Sequence, residues 1–178
     1  MDLFLKMKHW QLFFLIIIMP TFLTMILISF LFTSHSDLLL VIAPIPIILS
    51  VLMLYGWIYS IGVNLLNKMS LTTKRQIMYF KVAVFIPALY MIYFGYNFTK
   101  VMLNMLNSGM GGAMIIMHLL TILCTVYMMY VTAKALKSVE TQKESLKLDG
   151  FIGEIMLIYV FPIGIWFIQP RINKIFDY

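Results

Sequence analysis

The sequence predicts an all-α fold, a polytopic transmembrane helical bundle with four spans plus a fifth apolar segment that either crosses the membrane or is re-entrant. Three observations predict it. Of the 178 residues, 62% are apolar and 11% charged, against about half and about a quarter in an ordinary soluble domain. The mean hydropathy is +0.97. Apolar runs of about 20 residues, the length that crosses a hydrocarbon core roughly 30 Å thick, recur along the chain. A soluble globular reading is excluded, and the spans leave room for a single transmembrane domain, residues 1–178.

The first span is residues 10–32, interrupted only by Gln11, Pro20, Thr21, Thr24 and Ser29. Lys6, Lys8 and His9 ahead of it imitate a secretory signal, but the run is too long and no small-x-small site follows, so it reads as a retained helix. The second, residues 38–66, carries Pro44 and Pro46 near its start, which predicts an irregular turn before the helix settles. The third, 77–96, has Pro87 at its centre and Tyr79 and Tyr96 near its ends, where amphipathic rings favour the interface. Residues 97–112, with Asn104, Asn107, Ser108 and three Gly, read as a loop or short interfacial helix. The fourth span is 113–132.

A hydrophilic linker follows at 134–149. Its Glu140/Lys143 and Glu144/Lys147 pairs suit a helix surface at i, i+3 spacing, so the fourth helix is expected to continue into water. The fifth apolar segment, 151–168, is eighteen residues long, or about 27 Å as a helix. Pro162 and Gly164 lie in its middle, where a helix breaks.

Charge sets the orientation. With the N-terminus inside, Lys6, Lys8, Lys68, Lys74, Arg75, Lys134, Lys137, Lys143 and Lys147 all fall in cytoplasmic segments, and the opposite loops hold only Lys100; the positive-inside rule selects this arrangement. A full fifth crossing carries Arg171 and Lys174 to the wrong side. A segment that turns at Phe161–Gly164 and returns keeps them inside, provided other helices satisfy its freed backbone groups. Both readings stand at the level of sequence.

Few residues invite chemistry. Glu154 is the acidic residue within an apolar segment, and with Lys81, a turn into the third span, it forms a candidate ion or proton site. Its plainer reading is a first-turn carboxylate at headgroup depth. His118, Met114 and Cys124 offer soft donors that suit Cu(I), although Met at helical spacing more often packs; no metal and no cofactor are expected. Gly56, Ser60 and Gly62 give the second span a small-residue face for helix packing, read as internal more readily than as an oligomer interface. Gly-x-Ser-x-Gly, His-Glu-x-x-His and Walker motifs are absent from the sequence.

The stretch from Gly153-Glu154 through Phe161-Pro162-Ile163-Gly164-Ile165-Trp166-Phe167-Ile168-Gln169-Pro170-Arg171-Ile172-Asn173-Lys174, with the Lys8-His9-Trp10-Gln11 start, resembles a family of small polytopic membrane proteins from Bacteroidetes-type bacteria. The resemblance covers about thirty residues at the two ends. It implies a bacterial inner membrane and carries no activity with it.

The expected function is that of a non-enzymatic integral membrane protein, an accessory subunit or oligomeric pore-type component. Its partners are then the lipid bilayer and, through residues 134–149, a second copy or another membrane protein. The +6 net charge lies in short patches between apolar runs, which fits an anionic membrane surface and not nucleic acid. The alternatives are a small proton-coupled carrier using Glu154 and Lys81, and a lipid-modifying membrane enzyme.

Overall fold

The computed structural model describes residues 3–34, 42–103, 112–143 and 146–177, and every regular element among them is helical. A short α1 (Leu3–Lys6) breaks at Met7. The chain resumes as α2 (His9–Phe13), widens into a π-helical turn (Phe14–Ile18) and runs on as α3 (Met19–Ser34). Then come α4 (Ile45–Lys68), α5 (Lys74–Leu103), α6 (Gly112–Thr141), a 3-10 turn (Leu148–Gly150), α7 (Ile152–Tyr159) and α8 (Phe161–Phe176). Four helices are long and apolar enough to cross a membrane: His9–Leu31, Ile45–Lys68, Lys74–Gly95 and Met114–Thr141.

The proline positions explain much of the local structure. Pro20 has no N–H to offer the carbonyl of Ile16 one turn earlier, and its ring crowds that carbonyl. The helix accommodates it by the π widening just before, and the Ser50 hydroxyl of α4 donates to the Ile16 carbonyl in place of the missing amide. Pro46 stands in the first turn of α4, where a missing N–H costs nothing. At the start of α5, Thr73 and Gln76 form a reciprocal capping box, Thr73 N–H donating to Gln76 Oε1 at 2.9 Å and Gln76 N–H to Thr73 Oγ1 at 3.3 Å.

Helix α4 is central and contacts α1, the π turn, α3, α5 and α6. Its buried Ile58, Ile61, Gly62 and Leu65 recur at the three- and four-residue spacing of one helix face. Trp57 and these residues meet Phe80 and Val84 of α5, Met128 and Leu136 of α6, and Ile165, Ile168 and Ile172 of α8 in one continuous core.

Two boundaries differ from the sequence expectation, and the break expected within the fifth apolar segment is present. The stretch from residue 97 to Leu103 continues α5 as helix; residues 104–111, which contain Asn104, Asn107 and Ser108, lie outside the described residues, as does the start of the segment expected at 38–66. The fourth helix runs through Thr141, and Ala133, Ala135, Leu136 and Ser138 are buried, so the first half of the expected linker is packed protein. The segment 151–168 is not one helix. It is broken at Val160, whose φ of −89° and ψ of 57° leave the helical region, and α7 and α8 pack against each other across the break.

That break needs Gly164. A Cβ there would stand 1.8 Å from the carbonyl oxygen of Leu157, an atom that a straight helix would carry about 10 Å away along its axis. Gly62 admits the Phe80 ring, 2.1 Å from where a Cβ would be, whereas Gly153 has nothing within 4 Å. Gly164→Ala is therefore expected to cost more than about 3 kcal/mol, Gly62→Ala about 1–3 kcal/mol because a ring can shift, and Gly153→Ala close to nothing. Thermal unfolding in detergent or nanodiscs checks the order; a Gly164→Ala protein as stable as Gly153→Ala would contradict the close approach at Leu157.

Candidate functional site

Glu154 lies in the first turn of α7, 7% exposed, where the positive end of the helix favours a carboxylate. Its Oε1 accepts from Arg171 Nη2 at 2.8 Å and from Lys137 Nζ at 3.3 Å. Arg171, near the end of α8, also donates through Nε and Nη2 to the two oxygens of Glu140, a fork-to-fork geometry that only a guanidinium supplies. Lys137 and Glu140 are one turn apart on α6, so α6, α7 and α8 meet in a cluster of two carboxylates and two cations. Burial pushes the Glu154 carboxyl up, but hydrogen bonds from Arg171, its own backbone N–H and Lys137 outweigh it. The carboxyl is held below its ordinary value of 4.5.

This geometry replaces the expected pairing of Lys81 with Glu154. Lys81 is half-buried on α5, and among the described residues the ion pairs of Glu154 go to Lys137 and Arg171. The sequence did place Glu154 and Lys81 near one face, but which side of α5 turns toward α7 is not encoded in depth.

Beside the ionic cluster lies a second polar centre that sequence reading passed over. Gln169 of α8 is fully buried. Its Nε2 lies 3.0, 3.2 and 2.8 Å from the carbonyl oxygens of Phe4, Leu5 and Met7 and 2.8 Å from the Asn173 carboxamide. Its Oε1 accepts from the buried Trp57 indole N–H at 2.9 Å. The break after α1 leaves those carbonyls without helical partners, and the two N–H protons of one carboxamide from the far end of the chain are shared among them. Lys68 does the same for α8: its Nζ donates to the Ile175 carbonyl at 2.7 Å and stands 4.4 Å over the Phe176 ring.

The remaining candidates are dispersed. His118 Nδ1 is 2.9 Å from the Tyr90 hydroxyl, beside an apolar cavity of about 320 Å³ lined by Ile86, Leu89, Tyr93, Met114 and Met117. Cys124 lines a different groove, with Tyr79, Val82 and Tyr127. His118 and Cys124 thus face apart, and no cluster of three or more His, Cys, Asp or Glu able to hold a metal occurs among the described residues. The small-residue face of α4 is covered from within the chain, Gly56 by the Phe4 ring and Gly62 by Phe80, with Ser60 fully buried between them. Pro162 opens α8 in its first turn.

No family model matches the chain, and neither does any curated protein or solved structure.

Two predictions follow from the two polar centres. Gln169→Leu strands the Trp57 indole N–H and the two acceptors that the two Nε2 protons can serve, each unpaired group costing about 1–3 kcal/mol, so a loss above about 3 kcal/mol or failure to fold is expected on thermal unfolding. For the cluster, breaking a buried ion pair costs about 3–5 kcal/mol, but the Arg171 side chain is 28% exposed and keeps Glu140, which moves Glu154→Gln to about 2–3 kcal/mol. Because folding lowers the Glu154 pKa, its contribution is complete above pH 4.5 and is lost as pH falls below that value. The acid limb of the stability curve should flatten in Glu154→Gln, and an unchanged acid limb would remove the carboxylate from the ledger.

Proposed function

We propose that this chain is a non-enzymatic integral membrane protein, an accessory or oligomeric component of a membrane assembly, seated in a bacterial inner membrane with its N-terminus cytoplasmic. The observation that carries the reading is the use made of buried polarity. Glu154, Gln169 and Trp57 are each tied to other parts of the same chain. A proton-coupled carrier needs an ionisable group that faces a pathway and exchanges partners; Glu154 instead faces two cations held in place, and Lys81 stands apart from it.

The contact surface in such an assembly is not the 134–149 segment, whose first half is packed against the chain's own helices. It is the outer half of the first span. From Thr21 to Leu31 this helix has no buried residue, and Phe22, Met25 and Phe30 are 63%, 64% and 59% exposed. A second helix, from another copy or another protein, covers such a side as readily as lipid does, since packing and not hydrophobicity drives association there. A photo-crosslinking side chain at Phe22 is expected to give one discrete adduct in native membranes, with none from Leu148. The absence of any adduct together with a monomeric state in nanodiscs would sink the assembly reading.

We propose further that α7 and α8 form a re-entrant hairpin. The exposed residues around its turn, Met156, Tyr159, Val160, Ile163 and Phe167, are apolar, while the opposite end carries Asp149, Lys174 and Asp177. Trp166 packs at 4.7 Å on His9 and 5.7 Å on Phe13, level with the start of the first span, so the turn dips only a short way into lipid. In a Cys124→Ala background, cysteines at Lys143 and Lys174 should label with an impermeant thiol reagent from the same, cytoplasmic side. Labelling from opposite sides would restore a fifth crossing.

A further inference from the structure

A recess of about 500 Å³ opens between the ends of α4, α6 and α8, lined by Lys68, Val139, Glu140, Arg171, Lys174 and Ile175. We propose that it binds the phosphate headgroup of an anionic glycerophospholipid. The volume falls within the range of ligand sites, about 300–1,000 Å³.

Charge and position carry the assignment. Lys68, Lys137, Arg171 and Lys174 surround two carboxylates, Glu140 and Glu154, so the cluster is left with an excess of two positive charges. Arg171 is engaged on both sides by carboxylates. Lys68 is held by the Ile175 carbonyl and the Phe176 ring but has ammonium protons to spare. Lys174 is exposed, and its ammonium makes no hydrogen bond or ion pair with another described residue. One anchored cation and one free cation therefore face the recess, a pairing suited to a phosphodiester.

The depth selects a lipid over a soluble phosphate. Lys68 closes one membrane-crossing helix and Glu140 stands in the last turn of another, so the recess opens where the spans end, at headgroup level. Val139 and Ile175 supply apolar wall against which the glycerol and first acyl carbons rest. Basic pockets between spans on the cytoplasmic side are a recurrent form of headgroup recognition. The proposal rests on the four helices crossing the membrane and on the cytoplasmic N-terminus proposed above; it does not depend on the assembly.

The test is the association of spin-labelled lipids with the full chain in vesicles, comparing phosphatidylglycerol with phosphatidylcholine. A preference of about fivefold for the anionic lipid is expected, the size that one well-placed lysine near the surface provides. Lys174→Gln, which breaks no ion pair among the described residues, should remove most of it, and Lys68→Gln with Lys174→Gln all of it, whereas Lys8→Gln should leave it intact. The proposal is overturned if Lys174→Gln retains the full preference, or if Lys8→Gln lowers it as much, which would mean diffuse surface charge. It is equally overturned if inorganic phosphate or glycerol 3-phosphate displaces the spin-labelled lipid, since the site would then belong to a soluble phosphate.

Discussion

A helix that breaks leaves carbonyls without helical partners, and where water cannot reach them each must find a donor within the protein. That constraint organises this structure. The chain breaks its helical ladder at Pro20, after α1 and at the end of α8, and at each place a side chain from a distant segment answers: Ser50 for Ile16, Gln169 with its two amide protons among the carbonyls of Phe4, Leu5 and Met7, and Lys68 for Ile175. These donors are directional, unlike the apolar contacts around them, so they fix how α1, α3, α4 and α8 sit against one another. Hydrophobic matching alone would not, because one lipid-exposed apolar face resembles another.

The C-terminal hairpin follows from the same constraint joined to charge. Arg171 and Lys174 on the far side of a membrane would oppose the bias set by the other basic residues. Turning at Val160 brings Arg171 to Glu140 and Glu154, and the turn is possible because Gly164 lets the backbone approach Leu157. Buried ion pairs add little net stability once desolvation is counted, but leaving one partner alone is costly. The cluster therefore specifies where α8 must lie more than it strengthens the fold.

Much of this was legible in the sequence. Apolar length marked four spans, and Pro162 with Gly164 marked the break. Boundaries were harder: the hydrophilic residues of 134–149 hid an apolar face, Ala133, Leu136 and Val139, that continues the helical spacing of α6. Glu154 was conspicuous as a lone carboxylate, yet its partners were not, because Lys137 and Arg171 are each seventeen residues away in opposite directions and looked like ordinary solvated charge. Gln169 was less visible still. A glutamine that ends an apolar run reads as a boundary, and nothing local records that Trp57 and the first turn of the chain, more than a hundred residues earlier, converge on it.

The two polar centres differ in how much the fold depends on them. Arg171 keeps 28% of its side chain in contact with solvent, so water can partly replace a lost carboxylate and the penalty is softened. Gln169 and Trp57 are completely enclosed, and no water can stand in for the carboxamide without opening the contact between α1 and α8. Their groups also share partners, so substitutions among Trp57, Gln169 and Asn173 couple instead of adding. The junction of the two chain ends at Gln169 is thus the all-or-none element of the bundle, and the ionic cluster is the adjustable one.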